Sequence, residues 1–272
     1  MRFAICNELF EGWSFDRVCR YVKSVGYDGL EVAPFTLAPL ITDLDSRQRA
    51  DLRKQAEDAG VEIIGLHWLL ARTEGLHLTT SDPRVRARTA EYLVALAEAT
   101  RDLGGDLMVF GSPKQRSLTD GVSWNQAFDH ATDVFRQAMS GVADFGVKLC
   151  MEPLAPAETD FINTCAEGVR LMDAVGHENF VLHLDVKAMS SEATPVPQLI
   201  RQYAPRTGHF HANDPNMKGP GFGDVDFVPI FRSLRDAGYG GWISVEVFDY
   251  TPDPETIASQ SIEYMRECLE RW

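Results

Sequence analysis

The sequence predicts a single-domain α/β protein folded as a (β/α)8 barrel, and two observations carry that prediction. Short apolar segments alternate with longer helical segments from one end of the chain to the other, which is typical of βα units on a parallel sheet. The length of 272 residues is close to that of a TIM barrel, and no low-complexity linker divides the chain. We therefore expect one TIM-barrel domain over residues 1–272.

Eight strands, each followed by a helix, can be assigned along the chain. The predicted strands are Arg2–Cys6, Gly29–Ala33, Val61–His67, Asp106–Phe110, Val147–Glu152, Phe180–Asp185, Thr207–Ala212 and Trp242–Val247. The predicted helices are Phe15–Val25, Ser46–Ala59, a long helix from Ser81-Asp82-Pro83, Trp124–Phe145, Thr164–Val175, one around Val196–Tyr203, Phe227–Ala237 and about Glu255–Leu269. Glycines such as Gly26 and Gly60 mark helix ends, and Asp82-Pro83 is a typical helix start.

The charge of the chain limits its partners. The formal net charge is −14, which argues against a nucleic acid or an anionic membrane surface, because those contacts need a basic face. No apolar run approaches the ~20 residues that a membrane helix requires. We therefore expect neither nucleic acid nor membrane as a partner, and the sequence leaves a homo-oligomer open.

Cysteine usage and the N-terminal sequence indicate the compartment. The five cysteines are odd in number and scattered, and they form no C-x-x-C pair: Cys6, Cys19, Cys150, Cys165 and Cys268. Met1-Arg2 leads directly into the first predicted strand, and no signal peptide is visible. We expect reduced thiols and a cytoplasmic protein.

Polar residues stand at the ends of four consecutive predicted strands, where the active site of such a barrel lies. They are Glu152, Asp185, His211 and Glu246. If these side chains converged without a cation, the three carboxylates would repel one another. Ordinary salt bridges explain any one of them, but these strand ends supply few cations. We expect one divalent metal ion per chain, Mn²⁺ in the first place, with Mg²⁺, Co²⁺ and Zn²⁺ as alternatives that the same oxygen and nitrogen donors suit.

Four motifs resemble those of a known family: MEPLAPAETDFINT at 151–164, HLD at 183–185, HAND at 211–214 and SVEVF at 244–248. On these motifs the chain resembles the xylose isomerase-like TIM barrels, the sugar phosphate isomerase/epimerase superfamily, and most closely its D-tagatose 3-epimerase-like ketose 3-epimerases. The resemblance implies that the four strand-end residues hold one metal ion. It also implies that Glu152 and Glu246, on opposite faces of a bound sugar, exchange the proton at the reacting carbon, and that Glu158 supports the sugar.

Such a site suits proton transfer next to a carbonyl. A metal that is chelated by a carbonyl oxygen and the neighbouring hydroxyl stabilises an enediolate by several kcal/mol. Proton return to the opposite face gives an epimer, and return to the adjacent carbon gives an isomer. Elimination of a leaving group would make the protein a lyase, for example a keto-sugar or cyclitol dehydratase or a deglycosidase. A sugar-binding module without activity is a further alternative, whereas an endonuclease IV-like enzyme would need a basic face.

Two positions depart from the family pattern. Family epimerases carry a histidine where this chain has Ala188 and an arginine where it has Met217, and both family residues grip the sugar near its carbonyl end. The neighbouring cations are Lys187, Lys218, Lys114 and Arg116. A local positive field from these side chains would favour a substrate that carries an anionic group or a bulky substituent, unless the side chains simply face water.

Other candidates for substrate contacts are histidines and aromatic residues. His67 ends the third predicted strand, and His183 shares a strand face with Asp185. Each of these histidines could equally be a hydrogen-bonded residue of the barrel core. Trp13, Trp68 and Phe248 could wall the apolar face of a sugar, although aromatic residues of a barrel more often belong to its core. A small carbohydrate is the expected substrate.

Overall fold

Residues 1–271, described by a computed structural model, form a closed barrel of eight parallel strands in chain order. The strands are β1 (Arg2–Cys6), β2 (Gly29–Val32), β3 (Glu62–Leu66), β4 (Leu107–Phe110), β5 (Lys148–Met151), β6 (Phe180–Asp185), β7 (Thr207–Ala212) and β8 (Trp242–Val245). Each strand pairs with the next, and β8 pairs with β1 to close the barrel. The predicted TIM barrel is confirmed.

Helices surround the barrel at the predicted places. They are α1 (Phe15–Val25), α2 (Ser46–Ala59), α3 (Pro83–Leu103), α4 (Trp124–Asp144), α5 (Cys165–Val175), α6 (Val186–Met189), α7 (Val196–Tyr203), α8 (Phe227–Asp236) and α9 (Pro254–Glu270). The Asp82 side chain accepts a hydrogen bond from the Arg84 amide at the start of α3, as its capping position predicts. The four-residue helix α6 was not predicted. None of the helices among residues 1–271 combines the length and the apolar character needed to cross a membrane.

The strand ends bring the predicted polar residues to one rim of the barrel. Strands β3, β5 and β8 end one residue earlier than the polar side chain, so that His67, Glu152 and Glu246 lie just beyond them. Asp185 is the last residue of β6, and His211 is the penultimate residue of β7. The two residues are opposite each other in the register of these strands. Because all strands are parallel, these five side chains meet at the C-terminal mouth.

The interior of the barrel changes from apolar to polar along its axis. The main apolar core lies between the barrel and its helices. A separate, smaller apolar cluster consists of Ala4, Ile64, Leu107, Val109, Cys150 and Trp242. Glu31, His183 and His209 are fully buried nearer the C-terminal mouth. All five cysteines are free and buried.

Candidate active site

Four side chains with ligating atoms converge at the C-terminal ends of β5, β6 and β7. Glu152, His183, Asp185 and His211 each place one donor atom within 4.8 Å of the others. None of them is more than 3% exposed. Three are predicted metal ligands, and His183 joins them, whereas the predicted ligand Glu246 lies beside the group instead of within it. We call these four residues the acid–imidazole cluster.

Local structure fixes the two carboxylates of the cluster. Asp185 caps α6, because its Oδ1 accepts from the Ala188 amide at 2.7 Å, and its Oδ2 accepts from Asn213 Nδ2 at 2.6 Å. The Glu152 carboxylate lies directly against Gly111, at the end of β4, where a Cβ atom would overlap it. Glu152 makes no side-chain hydrogen bond to the described residues and is free to bind a ligand.

The electrostatics of the cluster fit a cation. Burial, followed by repulsion from Glu246 and Asp185, raises the pKa of Glu152 well above its usual range. Burial also raises the pKa of Asp185, although Lys187 opposes the change. Each carboxylate therefore lacks enough positive charge nearby, and a divalent ion would supply it.

His183 supplies a second argument for a cation. Both of its ring nitrogens are buried without a hydrogen-bond partner among the described residues. Burial and the neighbouring His211 and His209 rings lower its pKa well below the usual value, so the imidazole is neutral and has a free lone pair. A buried imidazole that lacks a hydrogen-bond partner and lies beside two carboxylates fits a metal ligand, or a residue directly behind a metal ligand.

Glu246 belongs to a second chain of contacts. Its Oε1 lies 3.3 Å from His67 Nδ1, and its Oε2 lies 3.1 Å from His211 Nδ1. His67 Nε2 in turn lies 2.9 Å from Glu8 Oε2. Burial opposes protonation of His67, but Glu8 and Glu246 outweigh it and raise its pKa to about 10. His67 is therefore an imidazolium that contacts both Glu8 and Glu246 and orients Glu246.

The buried carboxylate of Glu31 orients His211. His211 Nε2 lies 3.1 Å from Glu31 Oε2, and His209 Nε2 lies 2.8 Å from the same oxygen. Burial would raise the pKa of Glu31, but the two histidines outweigh it and hold the pKa well below its usual range. With Nε2–H directed at Glu31, the His211 Nδ1 atom faces Glu246 and the cluster. The sequence analysis missed Glu31 and Glu8, although a glutamate inside an apolar strand is a signal for a buried partner.

Glu158 and Lys187 form an ion pair at the mouth. Lys187 Nζ donates to Glu158 Oε1 at 2.6 Å and lies 4.4 Å from the centre of the Phe248 ring. Burial opposes the charge of Lys187, but Asp185 and Glu158 raise its pKa. Lys187 thus neutralises Glu158 and is not an unpaired cation for a substrate anion.

Of the other predicted cations, Arg116 is buried and Lys218 is paired. Arg116 is fully buried, and its guanidinium donates to the carbonyl oxygens of Glu152 at 2.5 Å and Ile162 at 2.8 Å. The interpretation of Arg116 as a substrate contact therefore needs correction, because the side chain points into the protein and ties down the end of β5. Lys218 Nζ lies 3.7 Å from Asp249 Oδ2, and Lys114 is exposed on its loop.

The two positions that depart from the family pattern differ in their surroundings. Ala188 is buried at 4% exposure, whereas Met217 is exposed at 43% on the loop after β7. The Met217 carbonyl accepts from the amides of Phe248 at 2.8 Å and Asp249 at 2.9 Å. The loops after β7 and β8 are therefore joined through the backbone of Met217, whatever its side chain contributes.

The chain is similar in sequence to known proteins. The family model described as xylose isomerase-like TIM barrel matches residues 19–268. The D-psicose 3-epimerase of Agrobacterium fabrum is 30% identical over 244 residues, which cover 87% of this chain and 81% of that protein. The L-ribulose 3-epimerase of Mesorhizobium japonicum is 27% identical over 237 residues, which cover 86% of this chain and 75% of that protein.

A solved structure shows the same fold. The D-psicose 3-epimerase of Clostridium cellulolyticum H10, solved with D-tagatose, superposes with a TM-score of 0.87 and covers 99% of each chain at 21% identity. The expectation of an isomerase or epimerase is confirmed by the curated relatives. The chain belongs to the family of xylose isomerase-like TIM barrels.

Proposed function

We propose that the protein is a divalent-metal-dependent 3-epimerase of ketoses that uses Glu152 and Glu246 as its proton-transfer pair. One observation carries the proposal. Glu152 and Glu246 are buried at the ends of β5 and β8, on either side of Asp185 and His211. Neither of the two glutamates forms an ion pair with a lysine or arginine of the described residues. The names of the curated relatives support a ketose as the substrate.

The cluster supports a role for the metal. Glu152, Asp185 and His211 would hold the ion, with Glu246 and His183 as the side chains near enough to complete its coordination. A bound divalent cation, Mn²⁺ in our proposal, would supply the positive charge that stabilises an enediolate next to the sugar carbonyl. The set of oxygen and nitrogen donors fits such a hard or borderline ion.

In this proposal, Glu152 and Glu246 each transfer a proton on one face of the bound sugar. Glu246 Oε1 contacts His67 Nδ1, and this contact would persist when His211 Nδ1 is a metal ligand, so His67 can orient the carboxylate before a substrate binds. Glu152 has Gly111 behind it and no hydrogen bond that would pull it away from the mouth. If one carboxylate removes a proton from the carbon next to the carbonyl and the other returns one to the opposite face, an epimer forms.

The surroundings favour ketoses without a phosphate. Of the four cations that were expected to attract an anion, Lys187 and Lys218 are paired with Glu158 and Asp249, and Arg116 is buried, which leaves only the exposed Lys114. Glu158, fixed by Lys187, can accept a hydrogen bond from a sugar hydroxyl at the mouth.

The test is an activity screen with matched variants. The Mn²⁺-loaded protein should interconvert ketoses that differ only at C3, as seen by NMR of the products. Glu152→Gln and Glu246→Gln should each lower turnover by at least ~10²-fold. The exposed Glu263→Gln is the control and should keep full activity. Loss of water from the substrate, seen by mass spectrometry, would show a lyase instead, and a fully active glutamine variant would remove that residue from the pair.

A further inference from the structure

A cavity at the barrel mouth, across from the acid–imidazole cluster, is not accounted for by the proposed proton transfer. Its volume is about 230 Å³, and it is lined by the loops that follow β1, β2, β3 and β8. None of the residues of the cluster lines it. The cluster stands on β5, β6 and β7, on the other side of the barrel mouth. A substrate whose reacting carbons lie at the cluster can therefore reach this cavity only with a part that is remote from those carbons.

Glu8 connects the cavity to the site and has an unused acceptor. The side chain lines the cavity at 5% exposure, and its Oε2 contacts His67, which contacts Glu246. Its Oε1 is buried and has no hydrogen-bond partner among the described residues. A buried carboxylate oxygen without a partner is costly, so a ligand group that donates a hydrogen bond would be favoured here.

The walls of the cavity are aromatic. Trp13, Phe35, Trp68 and Tyr250 line it. The Trp68 ring stacks on Phe248 at 5.8 Å between centroids, and Phe248 comes two residues after Glu246. Trp68 also has a φ angle of 51°, which is unusual for a bulky residue and marks a backbone held in place by its surroundings. Trp68 therefore forms a fixed wall shared by the cavity and the mouth.

Charge in and around the cavity disfavours an ionic ligand. The carboxylates of Glu8 and Glu11 repel an anion such as a phosphate. Arg72 also lines the cavity, with its guanidinium 4.3 Å from the centre of the Phe35 ring, and it repels an ammonium group. A neutral group with several hydroxyl donors avoids both repulsions.

We propose that this cavity binds a hydroxylated sugar ring that is attached to the ketose, and that the preferred substrate is a glycosyl-ketose. The C–H face of a sugar ring packs on an aromatic wall such as Trp68, and its hydroxyl groups supply the donor that Glu8 Oε1 lacks. The Tyr250 hydroxyl adds a donor, since burial and the nearby Glu8 carboxylate raise its pKa and keep it protonated. This inference rests on the proposed ketose epimerase activity and extends it to substrate choice.

The experiment compares free fructose with three glucosyl- or galactosyl-fructoses. Isomaltulose, leucrose and lactulose carry the second ring on O6, O5 and O4, respectively, and leave the carbonyl and C3 free to react. For at least one of them, the metal-loaded protein should show a KM at least about tenfold lower than for fructose. Fructose 6-phosphate and 6-amino-6-deoxyfructose, which carry a charge instead of a ring, should show no such gain.

Trp68→Gly tests the cavity wall. Glycine tolerates the positive φ angle, so the change removes the aromatic wall without adding backbone strain. The ratio of KM values between fructose and the preferred disaccharide should fall to about one in this variant. The distant Trp124→Phe, on the outer helix α4, is the matched control and should keep the ratio.

Two outcomes separate this inference from the proposed function. If fructose is epimerised but no disaccharide has a lower KM, or if a charged analogue has the gain instead, the inference is wrong and the epimerase stands. If no ketose is epimerised, titration of tryptophan fluorescence with the same disaccharides still decides. Tighter binding of a disaccharide than of fructose, lost in Trp68→Gly, would support the cavity assignment alone, and equal binding would overturn it.

Discussion

His67 is a cation enclosed by two carboxylates, and its ionisation should be measurable in the metal-free protein. Burial opposes the charge, but Glu8 and Glu246 raise the pKa of His67 from 6.5 to about 10. The folded state therefore holds a proton that the unfolded state releases. The resulting stability is fully present below about pH 6.5 and is lost as the pH rises through about 10.

The measurement is the free energy of unfolding between about pH 6 and about pH 10.5, for the metal-free parent and His67→Gln. Other groups also titrate in this range, so the difference between the two proteins is the relevant quantity. That difference should shrink as the pH rises. Parallel curves would show that His67 is neutral at this site.

The metal ligands can be tested one by one. The parent should bind about one Mn²⁺ per chain in elemental analysis, because buried carboxylates and imidazoles converge there. Asp185→Asn and His211→Ala should each weaken binding by at least about tenfold. Asp144→Asn on an exposed position and His177→Ala at the end of α5 are the matched controls. Unchanged affinity in both site variants would contradict the assignment.

At the residue scale the sequence predicted those features that follow from strand ends. Asp185 and His211 were placed by counting strands, and the structure puts them in register. Glu31 was missed, because its partners His209 and His211 lie about 180 residues away and across the barrel. Arg116 was misinterpreted, because a loop rich in glycine and proline resembles a solvated one even where its cation is turned inward.

At the scale of elements, the pairing of β3 with β4 depends on a glycine. Gly65 faces Leu107 in the register, and a Cβ atom at Gly65 would overlap the Leu107 carbonyl oxygen. Gly65→Ala should therefore lower the free energy of unfolding in urea by about 1–3 kcal/mol. At Gly240 an added Cβ atom would meet nothing within 4 Å, so Gly240→Ala is the control. Equal stability of the two variants would show that the strands can shift to make room.

The elements themselves were predicted well, and their ends less so. All eight strands and the long helices follow from the alternation of apolar and helical segments. Strands β3 and β5 were predicted too long, since the polar residue that ends each pattern lies beyond the last backbone pairing. Helix α6 was missed, because four residues give no helical period, and its start depends on the Asp185 side chain, which accepts from the Ala188 amide.

At the scale of the whole molecule, closure of the barrel converts separate strand ends into one site. Glu152 and Glu246 are 94 positions apart in sequence, and only the order of eight strands brings both to the same mouth. Length and the βα alternation were sufficient to predict that closure. The substrate was not predictable from net charge, because it depends on which cations are paired locally, as Lys187 is with Glu158.

The most direct test of the proposed function is deuterium uptake from D₂O during turnover of a ketose by the Mn²⁺-loaded protein. If Glu152 and Glu246 remove and return protons on opposite faces, the epimer should carry deuterium at C3, as seen by NMR and as a mass increase of about one unit. The exchange should be lost in both Glu152→Gln and Glu246→Gln. Rapid formation of an epimer that contains no deuterium would contradict proton exchange through these two carboxylates.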